Sequence, residues 1–305
     1  DVKDFYREFH YSYHLSPHPN ILSSYPVAFK SSDYYVFAQE YAPYGDLAGV
    51  IKAGGEPEGS CKRVAQQLCS ALEFLHSKQL VHRDIKLENI LVFSQDLSRI
   101  KLCDFGETRK EGILVNRVRC TWHPFLPPEV CEVVKNERFT CKAAADVWQT
   151  GIVLFVCLTG CPPWQGAEQT TDQDYSGFVN WQKRRSTKIP QQFKKFSPRL
   201  LRLFRRILEH KPEKRAAISE ISKYMKDPWF IDKSGHVTPK ERKNSAMLHL
   251  NFGDDDDDDV HCNPDEGKKK LKKLLSSYGL ETTIDQKVMT SRIWDWVLSS
   301  QDNTQ

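Results

Sequence analysis

The stretch VHRDIKLENILVF, residues 81–93, decides how this chain is read. Polar residues of different chemistry punctuate an apolar run: Asp84, then Lys86 two positions on, then Asn89 five positions after Asp84. Singly, each has an ordinary explanation. Asp84 could cap a helix, Lys86 could be a solvated charge and Asn89 could turn the chain. The segment CDFG, residues 103–106, then adds a second carboxylate, Asp104, ahead of a permissive glycine, Gly106. A lone Asp-Phe-Gly is weak evidence. A carboxylate, an ammonium and an amide at fixed short spacing, with that tripeptide at a suitable distance, is far too specific for chance.

Working outward, the 305 residues suffice for one large domain with a sizeable core, and the composition is that of a soluble globular protein. A net charge of +4 is slight for this length and argues against a nucleic-acid partner. The longest apolar run, GIVLFVCLTG (151–160), is too short to span a bilayer and reads as a buried helix. Nine cysteines without metal-ligand spacing or a paired framework suit a reduced, cytoplasmic protein. The first residue is Asp1 with no leader after it, which suggests a chain cut at its beginning.

Val2, Phe5, Phe9 and Tyr13 recur at helical spacing and predict one apolar face. SYPVAFK and DYYVFAQEY, separated by Ser31, Ser32 and Asp33, predict a hairpin. From about Ser60, Val64, Leu68, Leu72 and Leu75 line a helix face, and helical stretches follow to AISEISKYMK. Strands early and helices late suggest a small sheet lobe on a larger helical lobe, an α+β fold.

Residues 81–106 resemble the catalytic loop and metal-binding turn of protein kinases. The resemblance implies a two-lobe kinase-like fold and phosphoryl transfer from ATP with Mg2+ to serine or threonine hydroxyls of protein substrates. By it, Asp84 accepts the proton of the substrate hydroxyl, Lys86 neutralises charge on the transferred group, and Asn89 and Asp104 hold the metal. LPPEV puts Glu129 where kinases carry Ala-Pro-Glu, and Arg215 in KPEKRAAISEI would be its buried ion-pair partner. Asp146 would open the helix supporting the catalytic loop. Lys86 points to the serine/threonine branch. HRDIKLENILVF, VNRV and VNWQKRR look closest to the SH3-binding-domain kinases, over roughly residues 1–231.

The resemblance also orders the beginning of the chain. Lys30, in PVAFK, imitates the kinase lysine that grips the nucleotide phosphates. That lysine precedes the first-lobe helix, whereas Lys30 follows FYREF, whose Glu8 is the natural partner, and HPNIL. Lys30 therefore belongs to a later strand. EYAPYGDL is similar to the hinge, with Gln39 as gatekeeper. Glu40, Ala42, Asp46 and Leu91 are then assigned with Asp104 to nucleotide binding. The expected domains are a partial first lobe (1–43), a second lobe (44–231) and a tail (232–305). With no Gly-x-Gly-x-x-Gly upstream, this polypeptide is expected to be inactive by itself and the parent protein active. The rival expectation is a pseudokinase or scaffold working through protein binding.

Departures from the pattern stand out. Cys120-Thr121 replaces Gly-Thr, and residues 109–120 contain no Ser, Thr or Tyr. Activation without a phosphosite there is expected, with Glu111 as a fixed acidic partner of Arg83. In the tail, the run Asp254–Asp259 reads as disordered. Leu271, Leu274 and Leu275 among five lysines could serve nuclear import, a membrane surface or a calmodulin-type partner, and the family name raises an SH3-domain partner.

Overall fold

The computed structural model describes residues 2–30, 34–116, 123–133 and 137–231. The tail assignments, and those on residues 117–122, lie outside the described residues. The chain opens with α1 (Val2–Leu15). The strands β1 (Ser24–Lys30) and β2 (Tyr35–Gln39) pair as a two-stranded sheet. Most of this pair, Tyr25–Ala38, clusters apart from the larger unit, which holds Lys3–Ser24 and the described residues from Gln39 to 231. Lys30 ends β1 exposed, its Nζ 5.5 Å from the centroid of the Tyr35 ring.

After a one-turn helix α2 (Leu47–Val50) comes the long α3 (Glu58–Ser77). Short antiparallel pairs follow. β3 (Leu80–Val81) pairs with β6 (Arg109–Lys110), and β4 (Ile90–Val92) pairs with β5 (Ile100–Leu102). β7 (Leu114–Asn116) pairs with β8 (Arg138–Thr140), on either side of the one-turn α4 (Pro128–Cys131). The larger unit is completed by α5 (Ala144–Thr159), α6 (Gln173–Gln182) and α7 (Pro198–Ile207). This mixture of helices and small sheets is the α+β class expected. The strands are not confined to the beginning, because the segments around residues 81–110 pair in twos across the helical unit.

The periodic positions account for the core. Val64, Leu68, Leu72 and Leu75 of α3 are all buried, as their spacing predicts. α5 is buried nearly all round from Asp146 to Thr159, which explains its unbroken apolar sequence. Gly151 lets α5 approach its neighbour: a Cβ there would lie 2.7 Å from Leu208 Cδ2. Gly160 ends α5 in the left-handed region (φ 79°) with its N–H bonded to Val156 O.

Two expectations shift. The buried face of α1 runs through Phe9, Ser12 and Leu15, while Tyr13 points outward and stacks on Phe9. The stretch Ile218–Tyr224 is a 3₁₀ helix rather than an α-helix.

Arg215 closes the lower part of the unit. Its guanidinium, wholly buried, makes two bonds to the Glu129 carboxylate at 2.7 and 2.8 Å and donates to Ala144 O at 2.8 Å. This is the ion pair the landmarks predict across 86 positions. Glu129→Ala would strand the buried guanidinium. Denaturant unfolding is expected to show a loss of about 3–5 kcal/mol; a loss within error of zero would contradict the pairing.

Candidate active site

Asp84, Lys86 and Asn89 lie in the loop between β3 and β4, and α5 holds that loop from below. Asp146, fully buried in the first turn of α5, accepts the Arg83 N–H on Oδ1 (2.8 Å) and the His82 N–H on Oδ2 (2.9 Å). His76 Nε2, at the end of α3, lies 2.9 Å from the same Oδ2. One turn along, Gln149 accepts the Ile85 N–H (3.0 Å) and donates to Arg83 O (3.3 Å). These bonds hold Arg83 in the left-handed region (φ 74°), where a residue with a side chain is strained. His82 adds a side brace. Its Nδ1 accepts the Asp84 N–H (3.3 Å), so Nε2 carries the proton and donates to Cys103 O (3.0 Å).

On this base the polar groups converge. Lys86 Nζ is 2.6 Å from Asp84 Oδ2. The Asn89 amide nitrogen donates to Asp84 O (2.8 Å) and to Asp84 Oδ2 (3.1 Å). Both side-chain bonds land on Oδ2. The Asn89 bonds also fix its amide so that the carbonyl oxygen points away from Asp84.

The Cys103 N–H donates to Asn89 O (2.9 Å) and brings Asp104 alongside. Asp104 turns the chain at φ 62° and accepts the Gly106 N–H on Oδ1 (3.3 Å). Glu8 of α1 reaches the same turn: a Cβ on Gly106 would sit 3.4 Å from Asp104 Oδ1 and 3.9 Å from Glu8 Oε2. Burial, with the Asp104 carboxylate second, pushes the Glu8 pKa up to about 7.

The residues assigned to nucleotide binding join through β4 and β5. Asp46 bridges to Leu91, and Leu91 lies opposite Lys101 of β5. The Asp46 carboxylate caps α2, accepting the Gly49 N–H at 2.8 Å. Glu40 is held by its N–H, which donates to Ser23 O (2.9 Å), and by its carboxylate, which pairs with Lys101. Ala42 is buried, and its carbonyl accepts the Gly45 N–H at 3.3 Å. No group of three His, Cys, Asp or Glu side chains gathers among the described residues. Asn89 and Asp104 offer two hard oxygen donors, a type that a hard cation prefers.

The acidic partner of Arg83 is Glu107 rather than Glu111. Arg83 Nη1 lies 3.4 Å from Glu107 Oε2, and Nη2 donates to Asn116 O at 2.5 Å. Glu111 instead accepts the Ala143 N–H at 3.0 Å. Arg109 also faces Glu107, at 3.8 Å; burial first, then the Arg7 charge, lowers its pKa to about 10.

The protein kinase domain pattern matches residues 1–230. The chain belongs to the protein kinase family. It is 48% identical over 308 residues to the serine/threonine-protein kinase meng-po of Drosophila melanogaster, covering 99% of this chain and 66% of that protein. Identity to the Danio rerio serine/threonine-protein kinase SBK1 is 44%, over 76% of this chain and 60% of that protein. The human serine/threonine-protein kinase SBK2 is 34% identical over 75% of this chain and 66% of its own length. These similarities place the chain among the SH3-binding-domain kinases. The kinase chain spans between half and two thirds of the length of most of the curated relatives it matches. No helix among the described residues is long and apolar enough to cross a membrane.

In this kinase fold, removing the Asp146 carboxylate strands two buried N–H groups of the catalytic loop. Asp146→Ala is expected to cost about 2–6 kcal/mol in chemical denaturation. Wild-type stability in that variant would show that the loop does not hang on α5.

Proposed function

We propose that the chain is the catalytic part of a serine/threonine protein kinase, which transfers the γ-phosphoryl group of ATP to hydroxyls of protein substrates. One observation carries this reading: Asp84, Lys86 and Asn89 converge on a loop pinned to a buried helix, with Asp104 next to Cys103, whose N–H bonds Asn89 O. A binding scaffold has no need of these four groups together.

The geometry supports a role for each group. Asp84 Oδ1 takes the proton of the substrate hydroxyl and orients its oxygen for in-line attack. Lys86, bonded to the other carboxylate oxygen, stands beside the reacting group and offsets its negative charge. Asn89 holds Asp84 in place through its nitrogen and presents its carbonyl oxygen, with the Asp104 carboxylate, to Mg2+. When bound, the ion would neutralise charge on the phosphates. Glu40 and Ala42 would offer backbone groups to adenine, Leu91 would form an apolar floor, and Asp46 would approach the ribose.

The test is transfer of labelled phosphate from ATP with Mg2+ to a serine- and threonine-bearing protein by the full-length protein. Asp84→Asn is expected to lower turnover by about 10²–10⁴ while the fold is kept. Undiminished turnover in Asp84→Asn would contradict the assignment, and no transfer by wild type would favour the scaffold.

A further inference from the structure

Lys101 is a charged residue in the middle of a buried strand. Its side chain is 7% exposed, and both its neighbours on β5, Ile100 and Leu102, are buried. A buried ammonium is strongly unfavourable unless paired and bonded. Here its Nζ meets the Glu40 carboxylate, lies 3.4 Å from Ser23 Oγ and sits 5.3 Å from the centroid of the Phe93 ring. Glu40 Oε1 also accepts the Ser23 N–H at 2.6 Å. Burial alone would raise the Glu40 pKa; the bonds from Lys101 and Ser23 outweigh it and hold the carboxyl below its ordinary value.

A well-packed apolar pair commonly serves stability as well as a buried ion pair does. The charges therefore call for a reason other than holding the fold. Their position supplies one. Lys101 grips Glu40 through space, faces Leu91 across the β4–β5 ladder and stands three residues before Asp104, which lies just past the end of β5. These three are the pieces assigned to the two ends of the nucleotide.

We propose that Lys101 is a positioning residue for the nucleotide, fixing the backbone at Glu40 in register with Leu91 and Asp104. The proposal rests on the nucleotide-binding reading above. An ion pair suits this task better than apolar contact because it specifies direction as well as distance. Ser23 supports it by exchanging bonds with both the backbone and the carboxylate of Glu40.

The full-length protein is titrated with ADP and Mg2+ by calorimetry, comparing wild type with Lys101→Met, Lys101→Arg and Glu40→Gln. The melting temperature of each is measured alongside. Lys101→Met is expected to weaken binding about tenfold or more. Lys101→Arg should recover most of that loss, and the double variant Lys101→Met with Glu40→Gln should bind no worse than Lys101→Met alone. Should Lys101→Met fail to fold, Glu40→Gln, which keeps the side-chain shape, carries the same expectation of weakened binding. Wild-type affinity in these variants overturns the proposal and leaves the nucleotide-binding reading standing. Absence of binding by wild type overturns that reading, and the proposal falls with it.

Discussion

The candidate site depends on one buried carboxylate. Asp146 is inaccessible to water, and a polar group there is tolerated only because hydrogen-bond partners surround it. Those partners are the backbone N–H groups of His82 and Arg83, with the His76 ring nitrogen beside them. The dependence is mutual. The loop would leave two buried N–H groups unpaired without Asp146, and Asp146 would be stranded without the loop. Because α5 is packed on all sides, it cannot shift to suit the loop, so the loop takes the position that α5 sets. The strained backbone of Arg83 follows from this, and so does the loop path that brings Lys86 and Asn89 to one carboxylate oxygen of Asp84.

A second constraint spreads that order upward through β5. Two-stranded sheets are marginal alone, and the β4–β5 pair persists as part of the larger unit. The Leu102 N–H donates to Asn20 O and its carbonyl accepts the Leu22 N–H, both at 2.9 Å, while β4 pairs on the other side. β5 thus ties the stretch after α1 to the strand that follows the catalytic loop. Its next residues, Cys103 and Asp104, are delivered to Asn89. A single short strand sets both the Glu40 anchor and the Asp104 turn.

The sequence made the local chemistry legible and the redirected chain much less so. Asp84, Lys86 and Asn89 could be found together because they stand at fixed short spacing within one loop. The buried face of α3 followed from its apolar period, and the buried α5 from its long apolar run. Glu129 and Arg215, far apart in sequence, were legible only as family landmarks, since nothing local links them. Sequence position offers Glu111 as the partner of Arg83 because spacing cannot reveal that Asp104 turns in the left-handed region just before Glu107. Tyr13 was placed inward because helical spacing fixes a stripe but not which edge of it packs. The one local signal for Lys101, a lysine flanked by Ile100 and Leu102 in a short strand, does not identify a partner 61 positions away.

The central claim is that the Asp146-anchored loop and the Asp104 turn form one metal-dependent phosphate site. Electron paramagnetic resonance of Mn2+, standing in for Mg2+, tests it most directly on the full-length protein with ADP. The account predicts a nucleotide-dependent Mn2+ site that Asp104→Asn removes while the protein stays folded. Mn2+ binding unchanged by that substitution would contradict it.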